Sequence, residues 1–156
     1  MKQTIGMLII VIALTSFQTT PKKTTAAPAA KKTTVSAPTP ATGLKASVDR
    51  GKLVYTKQCL ACHQVDGGGV PHLNAPLDAA TQVVNNNKER LIRIVLNGMT
   101  ERVELDGEHY SNNMAPHKDL TDLEIADVLT FVRNSWSNKA SVVTVAEVKA
   151  TRAKTK

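Results

Sequence analysis

Aromatic side chains are scarce in this chain: one Trp, two Tyr and two Phe among 156 residues. After residue 46 only Tyr55, Tyr110, Phe131 and Trp136 remain. A compact unit of about 100 residues with so few large rings buries limited apolar surface and needs help from a disulfide, a metal or a cofactor. Cysteine is scarcer still. Cys59 and Cys62 are the only two, which excludes a multiply cross-linked scaffold. They stand too close to staple a long loop, so they point to redox, metal or cofactor chemistry. No apolar run reaches the length of a comfortable membrane span; the longest, residues 5–14, has the length of a signal-peptide core. No repeat of domain size is present.

Acidic residues are missing from the first 46 positions, and this distorts the overall net charge of +7. Residues 47–138 hold nine Lys and Arg against twelve Asp and Glu, a net of −3. The first 46 residues contribute +6 and those from Lys139 onward +4. The basicity is expected in flexible ends and not on a folded face, so the footprint needed for phosphate contacts is missing and nucleic acid is not an expected partner.

Four regions follow. Residues 1–18 read as a signal peptide or an uncleaved N-terminal anchor. Residues 19–46, built from Thr, Lys, Pro and Ala, read as a disordered linker. Residues 47–138 form the expected domain, and 139–156 a basic tail with one short helix.

Within the domain, Ser47 is expected to cap a helix over residues 48–58, with Gly51 and Tyr55 on one face. Residues 64–86 contain Gly67-Gly68-Gly69, Pro71 and Pro76 and read as a loop. Asn87 caps a second helix over 88–97, striped by Leu91, Ile92, Val95 and Leu96 and ended by Gly98. Asp106-Gly107 signals a tight hairpin. Thr121 with Glu124, and Thr144 with Glu147, make capping boxes, each with its hydrophobic staple: Leu120 with Ile125, and Val143 with Val148.

Cys59-Leu60-Ala61-Cys62-His63 carries the chemistry. Two thiols three apart at a helix end point the same way and can form thioethers with the two vinyl groups of one haem. The next residue, His63, then lies where its imidazole can ligate the iron. A thioredoxin-like pair would sit in a βαβ context, which is missing. A structural zinc site would need a second ligand pair, and His72, His109 and His117 lack paired spacing. A carrier haem needs a sixth ligand, and a thioether favours reduced iron. Met114, in the polar run Asn112-Asn113-Met114-Ala115-Pro116, is the candidate. Met99, His109 and His117 are the alternatives. Trp136 reads as a packing residue, and Arg93 and Arg102 as solvated surface or haem-propionate partners. Tyr110 and Asn113 would support the Met114 loop or touch haem.

The pattern resembles the small class I monohaem c-type cytochromes of bacteria. The likeness runs from about Asp49 to Asn138. It rests on Gly51-x-x-x-Tyr55-x-x-x-Cys59, the haem motif, Asp66-Gly67, Pro76-Leu77, Val95-Leu96-Asn97-Gly98, the Met114 loop and Ala126-Asp127-Val128-Leu129-Thr130-Phe131-Val132-Arg133. The resemblance implies an all-α fold around one haem c, with a small β-hairpin before the methionine loop and the first and last helices crossing at Gly51 and Tyr55 against Val128 and Phe131. It implies a bond from the second nitrogen of His63 to the Pro76 carbonyl, with Pro71 as rival. Ala115 departs from the family pattern, in which proline often follows the methionine directly.

The function expected is electron transfer, not catalysis, through haem bound by Cys59, Cys62, His63, Met114 and Pro76. The iron ligands would be His63 and Met114, the setting the periplasm or the periplasmic face of the inner membrane. Partners would be redox proteins: a dehydrogenase, an oxidase or a reductase. An uncleaved N-terminus would add membrane association. The alternatives are a relay domain of a larger dehydrogenase or oxidase, or a ligand-binding haem sensor or peroxidase with an open sixth position.

Overall fold

The computed structural model describes residues 43–155. The expected leader and all but the last four residues of the expected linker lie outside them. The chain order is α1 (Leu44–Gln58), α2 (Leu60–His63), α3 (Thr81–Val84), α4 (Lys88–Asn97), β1 (Val103–Leu105), β2 (Glu108–Tyr110), α5 (Asp122–Arg133) and α6 (Val145–Lys154). The described fold is all-α with one two-stranded hairpin.

The caps form where the side chains dictate. Asn87 accepts from the Arg90 N–H at 3.1 Å. Thr121 accepts from the Glu124 N–H at 3.2 Å while Glu124 accepts from the Thr121 N–H at 2.8 Å. Thr144 and Glu147 repeat the arrangement at 3.2 and 2.7 Å. Between β1 and β2, Asp106 and Gly107 both take positive φ, 51° and 87°, the geometry that matches strand twist. Val103 thereby pairs with Tyr110, and Leu105 with Glu108.

α1 begins earlier than its sequence suggests. Gly43 stands at the N-cap position, so the boundary expected at residue 47 falls inside the helix. Ser47 does not cap; its hydroxyl donates to Asp127 Oδ1 at 2.6 Å. Arg50 clasps the same carboxylate with Nε at 2.6 Å and Nη2 at 2.8 Å. A long-range partner has taken the hydroxyl that a local reading assigned to the cap. Residues 64–86 form a loop with little regular structure, interrupted by one helical turn at Thr81–Val84.

α1 and α5 cross at Gly51. A Cβ there would stand 2.1 Å from the Asp127 carbonyl oxygen and 2.8 Å from Phe131 Cβ, so only glycine permits this approach. Tyr55 and Phe131 stack with ring centroids 5.2 Å apart, and Trp136 closes the trio at 5.5 and 5.6 Å. Trp136 is thus a packing residue, and its indole N–H donates to the Val65 carbonyl at 3.0 Å.

The segment after residue 138 is no loose tail. Val143 and Val148 are buried in the same core as Ile92 and Ile125, each side chain contributing on the order of 1.5–3 kcal/mol as an upper estimate. Lys88 Nζ reaches Glu147 and the Val142 carbonyl, both at 2.8 Å. Arg152 bonds Asp122 at 2.7 Å and the Leu120 carbonyl at 2.6 Å. Part of the C-terminal positive charge, that of Arg152, is therefore fixed on the fold.

Gly51→Ala is expected to cost about 1–3 kcal/mol by forcing the helices apart. Lys52→Ala, one residue along on the exposed face, should stay within about 0.5 kcal/mol of the parent. Chemical denaturation of the holoprotein compares them, and equal effects would contradict the close-approach argument.

Candidate cofactor site

α1 runs straight into the thiol pair. The Cys59 N–H still bonds the Tyr55 carbonyl at 2.9 Å, and the His63 N–H bonds the Cys59 carbonyl at 2.9 Å. The helical turn α2 thus carries Cys62 and His63 on a frame fixed by α1. Tyr55 donates its hydroxyl to the Gln64 carbonyl at 2.6 Å, tying the end of that turn back to the crossing. Burial pushes the Cys59 thiol pKa up to about 11, with the nearby Cys62 charge adding to it, so the free thiol stays protonated at neutral pH.

His63 Nδ1 lies 3.0 Å from the Ala75 carbonyl oxygen. A carbonyl only accepts, so Nδ1 carries the proton and Nε2 keeps its lone pair. The acceptor is Ala75 and not Pro76, the residue first expected. Gly69 N–H to the His63 carbonyl and Val70 N–H to the Asn74 carbonyl fold the loop tightly, and this register presents the carbonyl one residue earlier. Pro76 itself remains in the cavity wall. Burial lowers the His63 pKa, partly opposed by the Ala75 bond, which favours the neutral ring needed for ligation.

Cys59 and His63 open onto a cavity of about 130 Å³ that continues into open solvent. Its wall is almost wholly apolar: Leu77, Ala80 and Val83, then Leu91, Ile94 and Val95, then Val103 and Leu105 of the hairpin, then Leu120, Val128, Leu129 and Val132. Met99 and Met114 share that wall, joined by paired backbone bonds of 2.9 and 2.8 Å. Gly98 permits the pairing with φ +72°, and a Cβ there would stand 2.3 Å from the Met114 carbonyl oxygen. An apolar space rimmed by the Cys59 thiol, an imidazole with one nitrogen satisfied and two thioethers, with the exposed Cys62 three residues along the same turn, fits a flat, iron-bearing macrocycle held covalently.

Other expected residues fall differently. His117 lines the cavity, while His109 lies on the exposed hairpin within 3.9 Å of Glu104. Arg93 and Arg102 are exposed and outside the wall, as are Ser111, Asn112 and Asn113. Tyr110 pairs with Val103 in the hairpin and is not itself among the residues of the wall. Arg90, Gln58 and Gln82, which were not singled out from the sequence, supply polar groups at the cavity. The spacing of Arg90 to Ile94, one helical turn, was the available signal for the first.

Residues 48–136 match the family model described as Cytochrome c. The chain is 32% identical over 120 residues to cytochrome c-552 of Thermus thermophilus, covering 72% of this chain and 80% of that protein. It is 38% identical over 117 residues to the cytochrome c subunit of alcohol dehydrogenase (quinone) from Gluconacetobacter polyoxogenes, covering 69% of this chain and 23% of that one. The gluconate 2-dehydrogenase cytochrome c subunit of Pantoea cypripedii is 35% identical over 101 residues, covering 62% and 22%. The chain spans less than a quarter of the length of these dehydrogenase subunits.

Asp78 locks the wall segment containing Leu77 to the turn that follows α5. Its Oδ1 accepts from the Ser137 hydroxyl at 2.5 Å and the Ser137 N–H at 2.9 Å. The side-chain bond first, then the backbone bond, hold its pKa below the ordinary 3.8. The stabilisation is therefore present above that unfolded value and is lost as pH falls through the lower folded one. Asp78→Asn should lower the denaturation midpoint near neutral pH and converge with the parent as pH falls through and below the ordinary carboxylate range; a gap that stays constant with pH would contradict the assignment.

Proposed function

The chain belongs to the cytochrome c family and carries electrons by way of covalently bound haem c, and from that premise we propose that Cys59 and Cys62 hold the haem by thioethers while His63 and Met114 ligate its iron. The iron supplies one site that gains and loses a single electron. The protein's part is to keep that site dry, rigid and closed to exogenous ligands.

One observation carries the ligand reading: His63 presents Nε2, its Nδ1 being committed to Ala75, to the same cavity that Met114 lines. The bond to Ala75 keeps the ring from rotating and increases its donor strength toward the metal. The Met99–Met114 backbone pairing, with His117 N–H on the Val95 carbonyl at 2.9 Å, holds the methionine segment against the end of α4. A segment held at both points needs little reorganisation when the charge on the iron changes. Pro76 and Leu77 pack as wall, excluding water, and exclusion of water together with a thioether ligand raises the reduction potential. Met114 is preferred to Met99 because Met99 directly follows the helix-ending Gly98, whereas Met114 lies in the irregular run that leads to α5.

In this reading the chain exchanges electrons with redox proteins, dehydrogenases among them, in the periplasm or at its membrane face. A second reading is a relay domain serving a larger dehydrogenase, favoured by the likeness to cytochrome c subunits of alcohol and gluconate dehydrogenases. No helix among the described residues is long and apolar enough to cross a membrane. Stable co-purification with a dehydrogenase at native expression favours the relay, and recovery as a free protein favours the shuttle.

Met114→Ala should abolish the far-red methionine-to-iron charge-transfer band of the ferric protein and lower the reduction potential, while Met99→Ala keeps the band. Optical spectra with redox titration read both. A band lost in Met99→Ala and kept in Met114→Ala would reverse the ligand assignment.

A further inference from the structure

Arg133 closes α5 with its side chain entirely buried, 0% exposed. Burying a guanidinium is costly unless it is paired with a carboxylate, yet all its hydrogen bonds go to neutral oxygens. Nε donates to the Ser141 carbonyl at 2.9 Å, Nη2 to the Ser141 hydroxyl at 3.2 Å, and Nη1 to the carbonyls of Val83 and, at 2.8 Å, Asn85. Arg133 forms no salt bridge among the described residues. Glu147 is the acidic group whose field reaches it, and Glu147 is itself engaged by Lys88 at 2.8 Å. A guanidinium does not lose its proton in such a setting.

The location gives this charge a consequence. Val83 offers its carbonyl to Arg133 and its side chain to the cavity wall. Val132, the neighbour of Arg133, and Leu129, one helical turn before it, line the same wall. The cation is thus bonded to one residue of the cavity wall and flanked along α5 by two apolar others. Low polarisability there leaves its field poorly screened, unlike the fields of exposed Arg93 and Arg102.

We propose that Arg133 is a fixed buried positive charge that raises the reduction potential of the haem iron, by disfavouring the more positive ferric state. At an effective dielectric constant of about 20, a buried unit charge behind the wall is expected to shift the one-electron equilibrium by up to about tenfold, or about 59 mV. The hydrogen bonds of the side chain fix the cation, and through Val83 and Asn85 they also brace the wall. A merely structural role would produce stability losses with no ordered change in potential.

The test is redox titration of the full-length holoprotein as Arg133→Lys, Arg133→Gln and Glu147→Gln, with denaturation measured alongside. The far-red band is followed throughout, so a change of axial ligand is seen separately; the proposal rests on haem in this cavity and not on which methionine binds. Arg133→Gln should shift the ferric–ferrous equilibrium toward ferric by about tenfold. Arg133→Lys, which keeps the charge but loses most of the bonds, should move it less than about threefold while still lowering stability. Glu147→Gln preserves a capping-box partner for Thr144, removes the opposing charge, and should shift the equilibrium the other way by at least about twofold. Equal shifts for the Lys and Gln variants, or a potential unmoved by loss of the charge, overturn the proposal. Where the Arg133 variants do not accumulate, a potential that fails to rise in Glu147→Gln overturns it alone.

Discussion

Everything at the haem cavity is referred to one close approach, the crossing of α1 over α5 at Gly51. The missing side chain lets the Asp127 backbone lie against α1, and the Asp127 carboxylate then gathers Ser47 and Arg50. That contact sets the direction in which α1 delivers Cys59, Cys62 and His63. It also sets which face of α5, Val128, Leu129 and Val132, is turned to the cavity. A few tenths of an ångström at the crossing would reach both the proximal histidine and the wall opposite the thiols, because packed interiors transmit displacement rather than absorb it.

Much of this was readable in the sequence because it depends on short-range rules. The capping boxes at Thr121 and Thr144, the Asn87 cap, the Asp106-Gly107 turn and the C-x-x-C-H spacing each involve residues within a few positions of one another. The misreadings share a different cause. Ser47 looked like a cap because its true partner, Asp127, lies 80 residues away. The Ala75 carbonyl, not that of Pro76, meets His63 because the register of a glycine-rich loop is set by tertiary bonds that spacing cannot specify. The buried anchoring by Arg133 and Arg152 left no local signal, because a charged side chain ordinarily seeks water; the carbonyls that receive them belong largely to segments distant in sequence.

The C-terminal extension follows the same logic. The family match ends at residue 136, yet the core does not. Val143 and Val148 complete a layer over Ile92 and Ile125, and Lys88, Arg133 and Arg152 fasten the segment with bonds to its backbone or from its side chains. A domain short of aromatic residues has thus gained apolar cover from an added helix as well as from its cofactor. Positive charge that composition assigned to loose ends is partly built into that layer, so the fold is a more even mixture of signs than residues 47–138 alone suggest.

The account stands on haem being fastened to the two thiols at Cys59 and Cys62. Intact mass and thiol alkylation of protein matured in an export host with haem-attachment machinery address this directly. The prediction is a coloured protein heavier by one haem, with neither Cys59 nor Cys62 open to alkylation after denaturation. A colourless chain of unaltered mass with both cysteines alkylated would contradict it.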